Sequence, residues 1–155
     1  LCTNPDILIA DEPTTALDVT TQAQTLDLLN ELQEKNGMSI IMITHDLGVI
    51  AELADEVNVM YLGKVIESGS IRQVFKTPKH PYTQALLSSI PSLATGHRER
   101  LPILEGSIPH PQARPNGCPF NPRCKDFIEG TCDKVFPEQE KIEEGHLVNC
   151  HLYNK

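Results

Sequence analysis

The stretch Ile7-Leu8-Ile9-Ala10-Asp11-Glu12-Pro13 decides the reading of this chain. A short continuous apolar run of this kind predicts a buried strand of a parallel sheet. Two adjacent carboxylates stand at its end. In open α/β sheets, ligands bind beyond the carboxyl ends of the strands. A carboxylate placed there can hold Mg²⁺ through water, and a second can act on an attacking water.

Outward from that run, the first part of the chain alternates strand and helix patterns. Leu26, Leu29 and Leu32 recur at helical spacing, with Thr25 and Leu28 beside them. The helix is expected from about Thr20 to Asn36-Gly37, where glycine suits the left-handed residue after a helix end. Ser39-Ile-Ile-Met-Ile-Thr44 predicts a second buried strand, and Asp46 to Ala54 a short helix capped by Asp46 or Thr44. Val57 to Tyr61 and Lys64 to Ser68 predict a hairpin about Leu62-Gly63. Ser70 to Phe75 and Pro81 to Ile90 predict helices, Pro81 taking an allowed first-turn position. His45 is thus expected at the end of a strand next to that of Asp11, where an imidazole can donate to a terminal phosphate.

Near residue 95 the texture changes. Prolines recur at 102, 109, 111, 115, 119, 122 and 137, glycines at 106, 117, 130 and 145, and few periodic apolar residues remain. A segment so composed is expected to need a staple. Of five cysteines, Cys118, Cys124, Cys132 and Cys150 fall within it. The odd total and the absence of a visible secretory signal disfavour a disulfide framework. Four thiolates suggest one tetrahedral metal site, yet no pair has the C-x₂₋₄-C spacing usual for zinc. Four-cysteine ligation also holds iron–sulfur clusters. Iron–sulfur, zinc and free thiols all remain open on spacing. Arg123 and Lys125 are read as a solvated pair or as an offset to thiolate charge, His146 and His151 as neighbours of the fourth cysteine, and Cys2 as a small buried helix residue.

The chain's 155 residues suffice for one domain, and a domain of about 150 residues buries about 68–70% of its unfolded surface. A net charge of −8 without a long basic run argues against nucleic acid as a partner. No apolar stretch approaches the roughly 20 residues of a membrane span.

Asp11-Glu12-Pro13, then Ala16-Leu17-Asp18, then Thr44-His45-Asp46 form a specific set in order and spacing. The first 75 residues resemble the second half of the ATPase subunit of an ABC transporter. The resemblance implies that Asp11 is the Walker B ligand of Mg-ATP, Glu12 the general base, His45 the switch histidine sensing the γ-phosphate, and Asp18 part of the D-loop touching a partner subunit. Leu1 to Pro5 would end the helix after the signature loop. The sequence holds no G-x-x-x-x-G-K-[ST], no Leu-Ser-Gly-Gly-Gln and no Q-loop. This chain alone is therefore expected to be inactive, and its bared strand edge to favour aggregation.

His80-Pro81-Tyr82-Thr83-Gln84-Ala85-Leu86-Leu87, Ile90-Pro91, Gly106 with Pro109, Cys118-Pro-Phe-Asn-Pro-Arg-Cys124 and His146-x-Val148-x-Cys150-His151 resemble the C-terminal extension of oligopeptide/dipeptide-type importer ATPases. This second resemblance implies an α/β fold in which residues 1–75 are the C-terminal part of a P-loop ATPase parallel-sheet domain. Residues 76–155 would then be a loop-rich, cysteine-containing extension. It implies Cys118, Cys124, Cys132 and Cys150 as metal ligands holding a [4Fe-4S] cluster, with zinc as the alternative. The function it implies is ATP hydrolysis driving peptide import. The implied partners are a second ATPase subunit, membrane permeases and, indirectly, a substrate-binding protein, at the cytoplasmic face of the membrane. The competing function is a non-catalytic, metal-binding regulatory module derived from such a subunit.

Overall fold

A computed structural model describes residues 5–90, 104 and 106–154. The readings of Cys2 and of Leu1 to Asn4 lie outside the described residues. The chain forms two compact units, residues 1–54 and 55–155.

The first unit is a β-α-β-α run: β1 (Ile7–Asp11), α1 (Val19–Asn36), β2 (Ser39–Ile43) and α2 (Leu47–Leu53). Strands β1 and β2 pair in parallel, with Ile9 opposite Ile41 and Asp11 opposite Ile43. Helix α1 starts where the Asp18 carboxylate accepts from the amides of Thr20 and Thr21. It ends at Gly37, whose φ of 64° suits the residue without a Cβ and whose amide closes on the Gln33 carbonyl. Asp46 caps α2 through the Gly48 amide.

The expected burial of these strands is not found. Ile7, Ile9, Ile41 and Ile43 are all at least half exposed, while Leu8, Ala10, Ile40 and Met42 between them are half-buried. The reason is geometric. Strands β1 and β2 form a sheet of two, so among the described residues one apolar face has no layer against it, whereas parallel sheets are normally covered on both faces.

The second unit contains β3 (Glu56–Tyr61), β4 (Lys64–Ser70), α3 (Ile71–Lys76), α4 (Pro81–Ser88), β5 (Gln139–Glu143) and β6 (His146–Asn149), with 3₁₀ turns at Pro111–Ala113 and Asn121–Arg123. Its antiparallel sheet runs β3-β4-β6-β5. Leu62 and Gly63 both have positive φ, as a tight two-residue hairpin requires. Ser70 and Gln73 form a capping box at α3.

The compact units divide at 54/55, whereas the sequence placed a boundary at 75/76. The hairpin β3–β4 lies in one sheet with β6 of the cysteine segment, so it groups with the extension. The extension is also less loop-like than its composition suggests, since it supplies β5 and β6 and buries Phe120, Pro119, Pro137 and Val148. Tyr61, Ile66, Cys118 and Phe120 form its core, with Tyr82 packed against it. The Tyr61 ring centroid lies 4.8 Å from that of Tyr82 and 5.4 Å from that of Phe120.

A buried carboxylate ties this unit together. Glu67 on β4 accepts from the amides of Lys79 (2.7 Å) and His80 (2.9 Å) and from Nε2 of His146 on β6 (2.8 Å). His146, expected from its place near Cys150 to support that cysteine or to be structural, is a structural partner of Glu67. His80, equally buried, accepts the Tyr82 amide at the start of α4 and meets Phe120 in a tilted ring contact, centroids 5.9 Å apart.

Candidate functional site

Strands β1 and β2 run parallel and in register, so their carboxyl ends lie side by side. Asp11 closes β1, Glu12 follows it, and the Glu12 amide donates to the Ile43 carbonyl at 2.8 Å. His45 follows β2. Its Nδ1 lies 3.0 Å from Glu12 Oε1. An ionised carboxylate only accepts, so Nδ1 carries the proton of this bond. On the other side, Thr15 Oγ1 donates to Glu12 Oε2 at 2.7 Å. Glu12 sits at φ 45°, an uncommon conformation for a residue with a Cβ and one that clusters at functional sites. The hydroxyl of Thr15, then His45, hold the Glu12 carboxyl below its ordinary range.

Asp18 does not join this pair. Its carboxylate is engaged at the start of α1 by the Thr20 and Thr21 amides and, at 2.6 Å, by the Thr21 hydroxyl, which holds its pKa down. Asp46 bridges two helices by accepting from Gln22 of α1 while it caps α2. Asp11, Glu12, His45 and Asp46 thus gather at one end of the strand pair. Thr15 had no signal of its own in the sequence; its offset of three from Glu12 is that of a local turn, closed by the Thr15 amide on the Glu12 carbonyl.

The cysteines lie in the second unit. The Cys118 amide donates to the Cys132 carbonyl at 2.8 Å, and Asn121 Nδ2 donates to the Asn116 carbonyl at 2.7 Å. Gly117, at φ 68°, permits this closure, because a Cβ there would lie 2.3 Å from the Cys132 carbonyl oxygen. Cys118, Cys132 and Cys150 are buried and Cys124 is half-buried. Burial pushes the thiols of Cys124 and Cys150 up to about 11, and the other cysteines add to the rise. Burial raises Cys118 too, with Cys132 contributing. The four thiols are a donor set of the right chemistry for a soft metal centre. Among the described residues, however, no group of three or more His, Cys, Asp or Glu is arranged as a metal shell.

Of the flanking groups, Arg123 donates to the Tyr61 hydroxyl and the Leu104 carbonyl, so it is not the solvated residue expected. His151 donates from Nε2 to the Val135 carbonyl. A cavity of about 550 Å³ opens between α4 and residues 122–126, with Cys124 in its wall. Among the described residues no helix is long and apolar enough to cross a membrane.

Parallel strands bearing Asp-Glu at one end and a histidine at the next agree with the resemblance to the second half of an ABC-type ATPase domain, followed here by a cysteine-bearing extension. Residues 66–132 match the family "Oligopeptide/dipeptide transporter, C-terminal region". The dipeptide transport ATP-binding protein of Bacillus subtilis is 50% identical over all of this chain and 46% of its own length. That of Haemophilus influenzae is 52% identical over 95% of this chain and 44% of its own length, and that of Escherichia coli 48% identical over the same shares. A solved structure, cbiO1 of Clostridium perfringens, is 40% identical over 47% of this chain and 29% of that chain, at a TM-score of 0.44, too low to bear on the fold. Along its length the chain is similar to the C-terminal portion of ATP-binding subunits of the oligopeptide/dipeptide ABC transporter type. It spans about half the length of the curated relatives it matches.

Proposed function

We propose that this chain belongs to a subunit that hydrolyses ATP to drive peptide uptake through an ABC importer. The observation that carries this reading is the Glu12–His45 contact of 3.0 Å at the end of a parallel strand pair. Asp11 would hold Mg²⁺ of Mg-ATP through water, and Glu12 would take a proton from the attacking water. With Nδ1–H donated to Glu12, His45 would reach the γ-phosphate through Nε2, which donates to a phosphate oxygen only when the ring is an imidazolium with both nitrogens protonated. Asp18, by fixing the start of α1, would set the preceding Ala16-Leu17 turn that meets a second ATPase subunit. Permease subunits would hold the assembly at the cytoplasmic face of the membrane, with a substrate-binding protein acting through them. The test is uptake of a labelled dipeptide by vesicles carrying the intact subunit and its permeases. Uptake that needs ATP and is lost with Glu12→Gln supports the reading; ATP-independent uptake contradicts it.

The 155 residues by themselves are expected to turn over no ATP, because they contain no phosphate-binding glycine loop. Measured turnover by this chain, sensitive to Glu12→Gln, would overturn that expectation.

The thiol cluster supports a second element of the same reading. Cys118, Cys124, Cys132 and Cys150 would together hold a [4Fe-4S] cluster, with zinc as the alternative. The supporting observation is four free cysteines, three buried and one half-buried, on a segment in which the Cys118 amide closes on the Cys132 carbonyl at 2.8 Å. Metal binding to such thiols displaces their protons and adds stability. Anaerobic purification with iron, sulfide and zinc analysis decides it: stoichiometric iron and sulfide support the cluster, stoichiometric zinc replaces it, and neither metal overturns the centre.

A further inference from the structure

We infer that Thr15 is a positioning residue for ATP hydrolysis: its hydroxyl, acting opposite His45, fixes the plane of the Glu12 carboxylate. The inference rests on the proposed role of Glu12 as base.

The geometry is two-sided. Thr15 Oγ1 engages Oε2 at 2.7 Å, and His45 Nδ1 engages Oε1 at 3.0 Å. A carboxylate oxygen has about two acceptor sites, so each oxygen keeps one for a water or its proton. Glu12 is a half-exposed side chain, its relative exposure 44%, so these two bonds, rather than enclosure, hold its orientation among the described residues. Thr15 is itself tied down, because its amide donates to the Glu12 carbonyl at 3.1 Å. The hydroxyl therefore comes from a turn that closes on the residue it orients. Packing does not explain the side chain: Thr15 is exposed, whereas its neighbour Thr14 is buried. The same bond favours the ionised carboxylate, as the first cause of its lowered pKa. Holding a base in its attack geometry is a recognised source of rate, and a single lost orientation lowers kcat without weakening substrate binding.

The experiment is steady-state ATP hydrolysis and ATP binding by the intact subunit carrying Thr15→Val or Thr15→Ser, beside Glu12→Gln. Thr15→Val keeps the shape and removes the hydroxyl. It should lower kcat roughly tenfold, the worth of one hydrogen bond to a charged group, with KM and ATP affinity unchanged. Thr15→Ser should restore kcat to within about twofold. A merely structural role would not divide kcat from KM or be rescued by serine. If Glu12→Gln abolishes turnover while Thr15→Val leaves kcat intact, or serine fails to rescue it, the role of Thr15 is overturned and the base stands. If Glu12→Gln turns over ATP normally, the reading of the base fails and that of Thr15 with it.

Discussion

Oε1 of Glu67 lies 2.8 Å from Nε2 of His146, and both side chains are fully buried although 79 residues separate them. The same carboxylate takes the Lys79 and His80 amides, so one side chain joins β4, the turn before α4 and β6. Breaking a buried pair by removing one partner is strongly destabilising because it strands the other polar groups. Glu67→Ala is therefore expected to lower stability by about 3–5 kcal/mol. Chemical denaturation followed by circular dichroism measures it. A loss below about 1 kcal/mol, the scale of an exposed pair, would contradict the tie.

Acid should loosen the same unit through His80. Burial holds its pKa down at about 4, against 6.5 ordinarily, and the nearby Glu67 only partly offsets this. The folded value is depressed, so the unfolded chain binds more protons between these limits. The stabilisation is fully present above pH 6.5 and falls as pH drops toward 4. The expected span is about 3 kcal/mol at most. His80→Gln should flatten stability over that window, measured by denaturation at stepped pH; an unchanged slope would count against a buried neutral imidazole.

Gly117 should not tolerate a side chain. A Cβ there meets the Cys132 carbonyl oxygen at 2.3 Å, and the backbone stands at φ 68°. Gly117→Ala is expected to destabilise by about 1–3 kcal/mol and to weaken metal binding at the proposed centre. Melting temperature and metal content, measured together, check it. Wild-type values in both would show that the Cys118–Cys132 closure is dispensable.

Without the proposed metal the thiols should react slowly and unequally. Burial raises Cys124 and Cys150 to about 11, so little thiolate exists at neutral pH. Cys124 is the least buried of the four and lines an open cavity. Mass spectrometry after brief alkylation of the metal-free protein should find Cys124 modified before Cys118, Cys132 and Cys150. Equal rates at all four would mean that the loop is not closed as described.

Much of the frame was legible because local rules suffice there. Asp18 and Gly37 bracket α1 in the sequence as they do in space, and Leu62-Gly63 marks its hairpin. The Glu12–His45 meeting follows from two strands of equal length in parallel register. Other elements gave no local signal. Gln139-Glu-Lys-Ile-Glu143 is a strand with a single apolar residue, held by pairing to β6 rather than by its own pattern. Glu67 reads as a surface carboxylate in any window of sequence; its burial depends on donors 12 to 79 residues away. The apolar strands β1 and β2 mislead in the opposite sense, since hydrophobicity states what a strand can bury and not whether a layer faces it.

The central claim is that Glu12 acts on the water that cleaves ATP. The most direct measurement is ATP binding and hydrolysis by the intact subunit with and without Glu12→Gln. The account predicts that the variant binds Mg-ATP as the unaltered subunit does and that turnover falls by about 10²-fold or more, the scale of general-base catalysis. A Glu12→Gln subunit that hydrolyses ATP at the unaltered rate would contradict it.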